Sequence, residues 1–269
     1  MTGLRMATLD GPAGRWVRLV WEWPGYRSPS AAERILPHGL VEVSWDLGGP
    51  MAFHADGAPR QHADAVLIGP QMSSYVVDTR PVRHLFGILF EPGAAASLLG
   101  VSAAELAGRT ECWSDFGGEL RQRLGDATDW SERLAVVRDH FARHDAPRLP
   151  KGAATLLEVW RRDRSVSVSA VASLAGVSAP TLVRHVREAL GMAPAQLRRI
   201  ARFRRMLERF AARPGLAALA HDSGYADQAH LTREFRSFAG ITPSRYRPLL
   251  EGHPFNVATE SVHFVQDAG

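Results

Sequence analysis

The sequence predicts an α+β protein in two parts: a small, barrel-like β region with helices appended, then an all-helical region. Three observations carry this. Residues 1–90 are cut by Gly and Pro into short runs with strand chemistry, the grammar of a small barrel or sandwich. Residues 151–251 hold successive amphipathic stretches with helix start and stop signals. The charge is also divided: residues 151–250 carry 17 Lys+Arg against 7 Asp+Glu, a net of +10, and the remainder nets −6 within a total of +4.

The chain has 269 residues, enough for two domains with real cores, and its 45% hydrophobic and 22% charged content excludes a disordered or fibrous protein. No apolar run is long enough for a membrane span, and the N-terminus lacks the apolar core of a signal peptide, so no membrane partner is expected. The one cysteine, Cys112, excludes an intrachain disulfide and a Cys-rich zinc site, and a reducing, cytoplasmic setting is the simplest expectation.

In chain order, turn signals stand at Pro24-Gly25, Pro37-His38-Gly39, Gly48-Gly49-Pro50 and Gly69-Pro70. Between them Val41, Val43 and Trp45 alternate with Glu42, Ser44 and Asp46, the period of a half-buried strand. Ala65–Ile68, Ser74–Asp78 and His84–Phe90 are further strands. At Glu91-Pro92-Gly93 the grammar becomes helical, with Ala94–Leu99 stopped by Gly100 and a capping box from Ser102 to Glu105. Phe116–Leu124 and Ser131–His144 are amphipathic helices, and Asp145–Pro150 is a linker. Helices are then expected over Gly152–Arg162, Val168–Leu174, Pro180–Ala189, Pro194–Ala211, Leu216–His221, Gln228–Phe238 and Ser244–Leu250, with a short strand over Ser261–Gln266. The expected domains are 1–146 (β-rich 1–90, helical 91–146) and 151–251, followed by a tail, 252–269.

The helical region contains a repeat. Ala172, Gly176, Leu182, Arg184, Val186, Gly191 and Pro194 are answered by Ala220, Gly224, Leu231, Arg233, Phe235, Gly240 and Pro243. A small residue where two short helices cross, then a glycine at the tight turn, then a buried i,i+4 pair is helix-turn-helix grammar. The second helix of such a unit is the one that enters a major groove. Pro194–Ala211, 18 residues or ~27 Å of helix, could hold two such helices about one DNA turn apart.

These residues resemble the C-terminal domain of the AraC/XylS family of transcription regulators. The most specific match runs from Ser223-Gly224-Tyr225-Ala226-Asp227-Gln228 through Arg233-Glu234-Phe235-Arg236 to Gly240-Ile241-Thr242-Pro243-Ser244-Arg245-Tyr246-Arg247. The resemblance implies a seven-helix, double helix-turn-helix domain. Leu36–Val43, Ile68–Gln71 and Phe86–Ala94 resemble the companion domain of one subgroup of these regulators, which implies a sensor or dimerisation region.

The family's base-contacting positions fall on Pro180, Val183 and Arg184, with Thr181 and Arg187 on the same outer face. In the second helix they fall on Gln228, Ala229, Thr232 and Arg233, with Arg236 and Arg245 as phosphate contacts. Arginine can hold guanine O6 and N7 together, whereas Pro180 and Val183 offer no side-chain hydrogen bond, so the first helix is expected to read narrowly. The Arg198–Arg205 run on the connecting helix is expected to be solvated or interdomain. His38, Glu42, Trp45 and Arg83 are the residues by which the N-terminal region would hold a ligand.

The expected partners are double-stranded promoter DNA, a small-molecule effector, RNA polymerase and a second copy of the chain. No cofactor, metal or catalytic residue is assigned. His54, Asp56, His62 and Asp64 fall in a segment read as loop, without a ligand register, and Ser44 or Ser97 lacks a nucleophile elbow. Two alternatives stay open. One is a DNA alkyl-repair enzyme using Cys112, which has no activating base beside it in sequence. The other is an interaction module that binds no ligand.

Overall fold

The computed structural model describes residues 3–27, 32–49, 51–55, 58–62, 65–79, 82–113, 118–210, 215–250 and 253–259. The N-terminal part opens with β1 (Arg5–Ala7), β2 (Val17–Trp23), β3 (Ala32–Ile35), β4 (Glu42–Asp46), β5 (Met51–Ala55), β6 (Ala58–His62), β7 (Ala65–Ile68), β8 (Tyr75–Asp78) and β9 (Leu85–Phe90). Helices α1 (Ala94–Leu99) and α2 (Ala103–Leu106), strand β10 (Thr110–Trp113), and helices α3 (Gly118–Asp126) and α4 (Trp130–Ala142) complete it. The helical part holds α5 (Lys151–Arg162), α6 (Val168–Ala175), α7 (Ala179–Leu190), α8 (Pro194–Phe210), α9 (Leu216–Ser223) and α10 (Gln228–Ala239). Strands β11 (Pro248–Leu250) and β12 (His253–Thr259) follow. The protein is thus α+β, a sheet region followed by a helical one.

Among the described residues the strands form no closed barrel. One antiparallel sheet has the order β1-β2-β9-β4-β7-β10, and a second has the order β11-β12-β3-β8. In β2, Leu19, Trp21 and Trp23 turn one way while Val20 and Glu22 turn the other and are fully buried. The second set joins Val43, Trp45, Phe86, Ile88 and Phe90 in a core closed by Leu120, Leu124, Leu134, Val137 and Phe141 of α3 and α4. Asp129 caps α4 through the Glu132 N–H, and the Glu132 carboxylate accepts from the Thr128 N–H in return. Gly87 of β9 serves a close approach: a Cβ there would lie 2.2 Å from the Trp21 ring.

Four expectations are corrected. β4 is buried on both faces, not half-buried, because its polar side faces the interior between the two sheets. Residues 51–62, read as loop, carry a β-hairpin, β5-β6. Ser244–Leu250 is not a helix: a short 3-10 turn covers Pro243–Arg245 and β11 follows. Pro248 explains this, since it lacks an N–H and biases its predecessor toward extended backbone. The helical part therefore shows six α-helices among the described residues, not seven. Finally, β12, expected only as tail, is an inner strand that pairs Asn256–Thr259 with Ile35–Ala32 of β3. The strand expected over Ser261–Gln266 lies outside the described residues, as does the side chain of Cys112 on β10.

The helical part has two cores. One unites Leu156, Trp160, Val171, Ala172, Leu182 and Val186. The other unites Ile200, Phe203, Leu219, Ala220, Leu231, Phe235 and Phe238, and it also takes in Leu36 and Val257 from the β region. Each unit is docked separately onto the N-terminal part. Ser102 Oγ donates to the Glu188 carbonyl at the end of α7, and Ser74 Oγ donates to the Ala239 carbonyl at the end of α10. No helix among the described residues is long and apolar enough to cross a membrane.

Candidate nucleic-acid interface and interior cavity

The two halves of the repeat fold alike. α6 ends at Gly176 and α9 ends at Gly224, with φ of 65° and 79°, a conformation costly for any residue with a Cβ. The next N–H, of Val177 or Tyr225, returns to the carbonyl of Ala172 or Ala220. Ser178 then caps α7 through the Thr181 N–H, and Asp227 caps α10 through the His230 N–H. Ala172 and Ala220 are buried at the helix contacts, and Leu182, Val186, Leu231 and Phe235 are fully buried beneath the second helix of each unit.

The outer face of α7 exposes Pro180, Arg184 and Arg187, with Thr181 and Val183 half-buried beside them. That of α10 exposes Gln228, Ala229, Arg233 and Arg236, with Thr232 half-buried; Arg245 is exposed just beyond. Arg184 Nη1 lies 3.0 Å from Glu188, a surface pair of small worth. The Thr232 hydroxyl donates to the Gln228 carbonyl and keeps its acceptor lone pairs. Among the described residues, the side chains of Arg187, Arg233, Arg236 and Arg245 have no hydrogen-bond or ion-pair partner. The two helices therefore present arginines whose donors are unspent.

The arginines of α8 are arranged differently. Arg199 Nε and Arg202 Nη2 each lie 2.9 Å from Oε1 of Glu234, which α10 buries. Burial alone would push the Glu234 carboxyl up, but hydrogen bonds from Arg199 and Arg202 hold it below the ordinary range. Arg202 also lies over the Tyr225 ring at 4.7 Å, and Arg198 lies over Trp160 at 4.5 Å while donating to the Val166 carbonyl. Arg204 reaches the His38 carbonyl of the β region. This run ties the helices to one another and to the N-terminal part.

A cavity of about 630 Å³ separates the two sheets. Leu19, Trp21, Glu42, Ser44, Ile68 and Leu89 line it from the first sheet; Glu33, Ile35, Tyr75, Val77 and Asn256 line it from the second. Glu42 accepts from Trp21 Nε1 and Ser44 Oγ, both at 3.0 Å, and stands 3.1 Å from His38 Nε2. Glu33 accepts from the Tyr26 hydroxyl and from Asn256 Nδ2. Burial pushes the Glu33 carboxyl up to about 7, against a lowering by Asn256. Arg204 and Glu208 of α8 also touch the cavity. A second cavity, of about 520 Å³, adjoins it at Arg18, His38, Glu91, Arg204 and Glu208 and extends along α5 and α8.

Of the four ligand residues expected from sequence, His38 and Glu42 stand together on the cavity wall. Trp45 lies on the opposite face of β4 in the helix-covered core, and Arg83 rests on the Val82 carbonyl away from the cavity. Sequence reasoning missed Glu33, Tyr75 and Asn256. The alternation of Glu33 with Ala32 and Arg34 carries no mark of an interior face, and Asn256 sits in the stretch read as tail.

Residues 171–248 match the model of a helix-turn-helix domain family. Residues 14–111 match a family described as a domain of unknown function, DUF6597. No curated protein matches the sequence. Among solved structures, the chain is similar to ToxT from Vibrio cholerae, at 9% identity over 90% of this chain and 97% of that one, with a TM-score of 0.46. Unsaturated fatty acid bound wild-type ToxT from Vibrio cholerae strain SCE256 matches at 12% identity over 90% and 96%, with a TM-score of 0.44. A DNA-binding transcriptional dual regulator from Escherichia coli K-12 matches at 22% identity over 38% and 94%, with a TM-score of 0.31.

Proposed function

We propose that this chain, whose residues 171–248 match a helix-turn-helix domain family, is a DNA-binding transcription regulator of the AraC type, that α7 and α10 both read bases and that the N-terminal cavity senses a small molecule. The observation that carries the reading of DNA is the pair of outward helix faces bearing arginines with unspent donors, set on two buried i,i+4 pairs. Arg233 and Arg184 take guanine O6 and N7, and Gln228 and Thr232 contact the neighbouring base edges. Arg187, Arg236 and Arg245 hold phosphates, and so fix register without reading sequence. Pro180, Thr181, Val183 and Ala229 contribute shape and apolar contact. Arg184 must first leave Glu188, so Arg233 is the stronger reader. The 17 residues of α8 set the two units on a rod of ~26 Å, of the order of one DNA turn.

Selection from random duplex DNA at two salt concentrations tests this. The expected motif has two half-sites about ten base pairs apart. A single half-site would restrict base reading to one helix, and the absence of any enriched motif would refute sequence-specific reading. Within a selected site, Arg233→Ala is expected to cost about 1–3 kcal/mol and to relax the base preference at one position. Arg245→Ala is expected to weaken all sequences alike and to lower the salt slope by about 1. Equal losses of both kinds in the two variants would remove the distinction drawn between them.

The sensing role rests on placement. The cavity wall is built from both sheets and from Arg204 and Glu208 of the helix that joins the two DNA-reading units. A ligand there touches the element that sets their spacing. Pairing with a second copy of the chain is the competing role for the N-terminal part. Sedimentation velocity with and without operator DNA decides it, a monomer in both favouring the sensor.

A further inference from the structure

Building on the reading of the N-terminal part as a sensor, we infer that the cavity between its sheets takes an organic cation, a protonated amine on an apolar body. Its volume of about 630 Å³ suits a small molecule. Leu19, Ile35, Val77, Leu85 and Leu89 make it apolar. Trp21, Trp23 and Tyr26 add aromatic rings, Trp23 and Tyr26 lying edge to face at 4.6 Å, and ring faces attract cations.

The two buried charged groups that reach the interior from facing sheets are both carboxylates, Glu33 at 2% exposure and Glu42 at 7%. The partners of Glu33 are neutral: a phenol and an amide. Those of Glu42 are an indole, a hydroxyl and the His38 imidazole. Among the described residues, no arginine or lysine pairs with either.

Glu22 shows what the fold does with a carboxylate of structural use. It is buried on the other face of β2, and Arg133 meets it at 2.8 Å. Among the described residues Glu33 has no such counterion and Glu42 has only the His38 imidazole, at 3.1 Å, and buried charge without a counterion is costly. An ammonium group in the cavity supplies it and donates charge-assisted hydrogen bonds to both walls. Arg18 and Arg204 also reach this space, where the second cavity adjoins, but they stand there with Glu91 and Glu208, Arg18 lying 3.7 Å from Glu91. Within the cavity between the sheets the two arginines are thus matched by two carboxylates, and the further arginines, Arg161, Arg164 and Arg205, line only the second cavity.

The test uses the full chain and three probes with one apolar body: 4-phenylbutylamine, 4-phenylbutanol and 4-phenylbutyrate. Binding is followed by calorimetry and by tryptophan fluorescence. The amine is expected to bind at one equivalent, at least about tenfold tighter than the alcohol, as a charge-assisted contact implies, and tighter still than the carboxylate. In Glu33→Gln and in Glu42→Gln the amine-over-alcohol ratio is expected to fall, with melting curves confirming that each variant is folded. Equal binding of amine and alcohol, tighter binding of the carboxylate, no binding of any probe, or an unchanged ratio in both folded variants would overturn the inference. Operator affinity measured with saturating probe separates this from the sensor reading. Amine binding without a change in operator affinity would leave the cation site standing and the sensor refuted. A change produced only by the alcohol or the carboxylate would do the reverse.

Discussion

Glu22→Ala is expected to lower the unfolding free energy by about 3–5 kcal/mol, a large part of what holds an ordinary domain together. Glu22 has no exposed surface and points from β2 toward α4. It accepts from Arg133 Nη1 at 2.8 Å, His84 Nε2 at 2.9 Å and Arg5 Nη1 at 3.3 Å. The Arg133 side chain is itself 10% exposed, and two more of its donors are held by the Leu124 and Ala127 carbonyls. Removing the carboxylate therefore strands a guanidinium that cannot swing out to water without orphaning two carbonyls. Urea unfolding followed by circular dichroism measures the loss. Glu22→Gln, which keeps an acceptor for Arg133, is expected to lose less, and the difference between the two variants isolates the charge. A loss below about 1 kcal/mol in Glu22→Ala would place the pair among weak surface bridges.

The second large effect is one of pH. The Glu33 carboxyl is raised from 4.5 to about 7, with burial as the main cause. Below pH 4.5 both the folded and the unfolded chain hold this proton, and the group has no effect on stability. Between 4.5 and 7 the unfolded chain has released it while the folded one retains it, so stability falls as pH rises. Above about 7 both forms are ionised, and the full penalty of ~3 kcal/mol is in place. Tyr26 and Asn256 are its side-chain hydrogen-bond partners. Urea unfolding at a series of pH values from 5 to about 8, for the parent and for Glu33→Gln, should show the variant gaining on the parent as pH rises. A difference that stays flat across that range would mean that Glu33 is already charged in the folded protein.

Local grammar made the helical part legible. Ala172 and Gly176, then Ala220 and Gly224, mark steric needs that any short crossed helix pair has, and those needs are met by the residues themselves. The same local reading placed a helix over Ser244–Leu250, where Pro248 and a strand partner in β12 decide otherwise. The β region was legible as strands of a small barrel or sandwich, but not which strand faces the two sheets enclose between them. Glu42 and Ser44 look like the wet side of a half-buried strand, and only the second sheet, built from distant segments, encloses them. Glu33 was invisible for the same reason. Of the polar residues noted beside strands, His38 and Glu42 line the cavity and Arg83 does not, whereas Trp45 alternates onto the other face of β4.

The pairing of β12 with β3 bears on how the protein is made. Asn256 and Glu33 meet although 223 residues separate them. At roughly 5–20 residues per second, a ribosome needs about 10–45 s to cover that stretch. Throughout this interval β3 stands as an open edge, with its outer N–H and C=O groups unpaired, and such edges invite pairing between chains. Helices α7 and α10 are synthesised before the strand that completes the sheet beneath them. Until β12 is made, nascent chains of this protein are thus open to one another at this edge, and crowding many of them on one message favours exchange of that strand between neighbours.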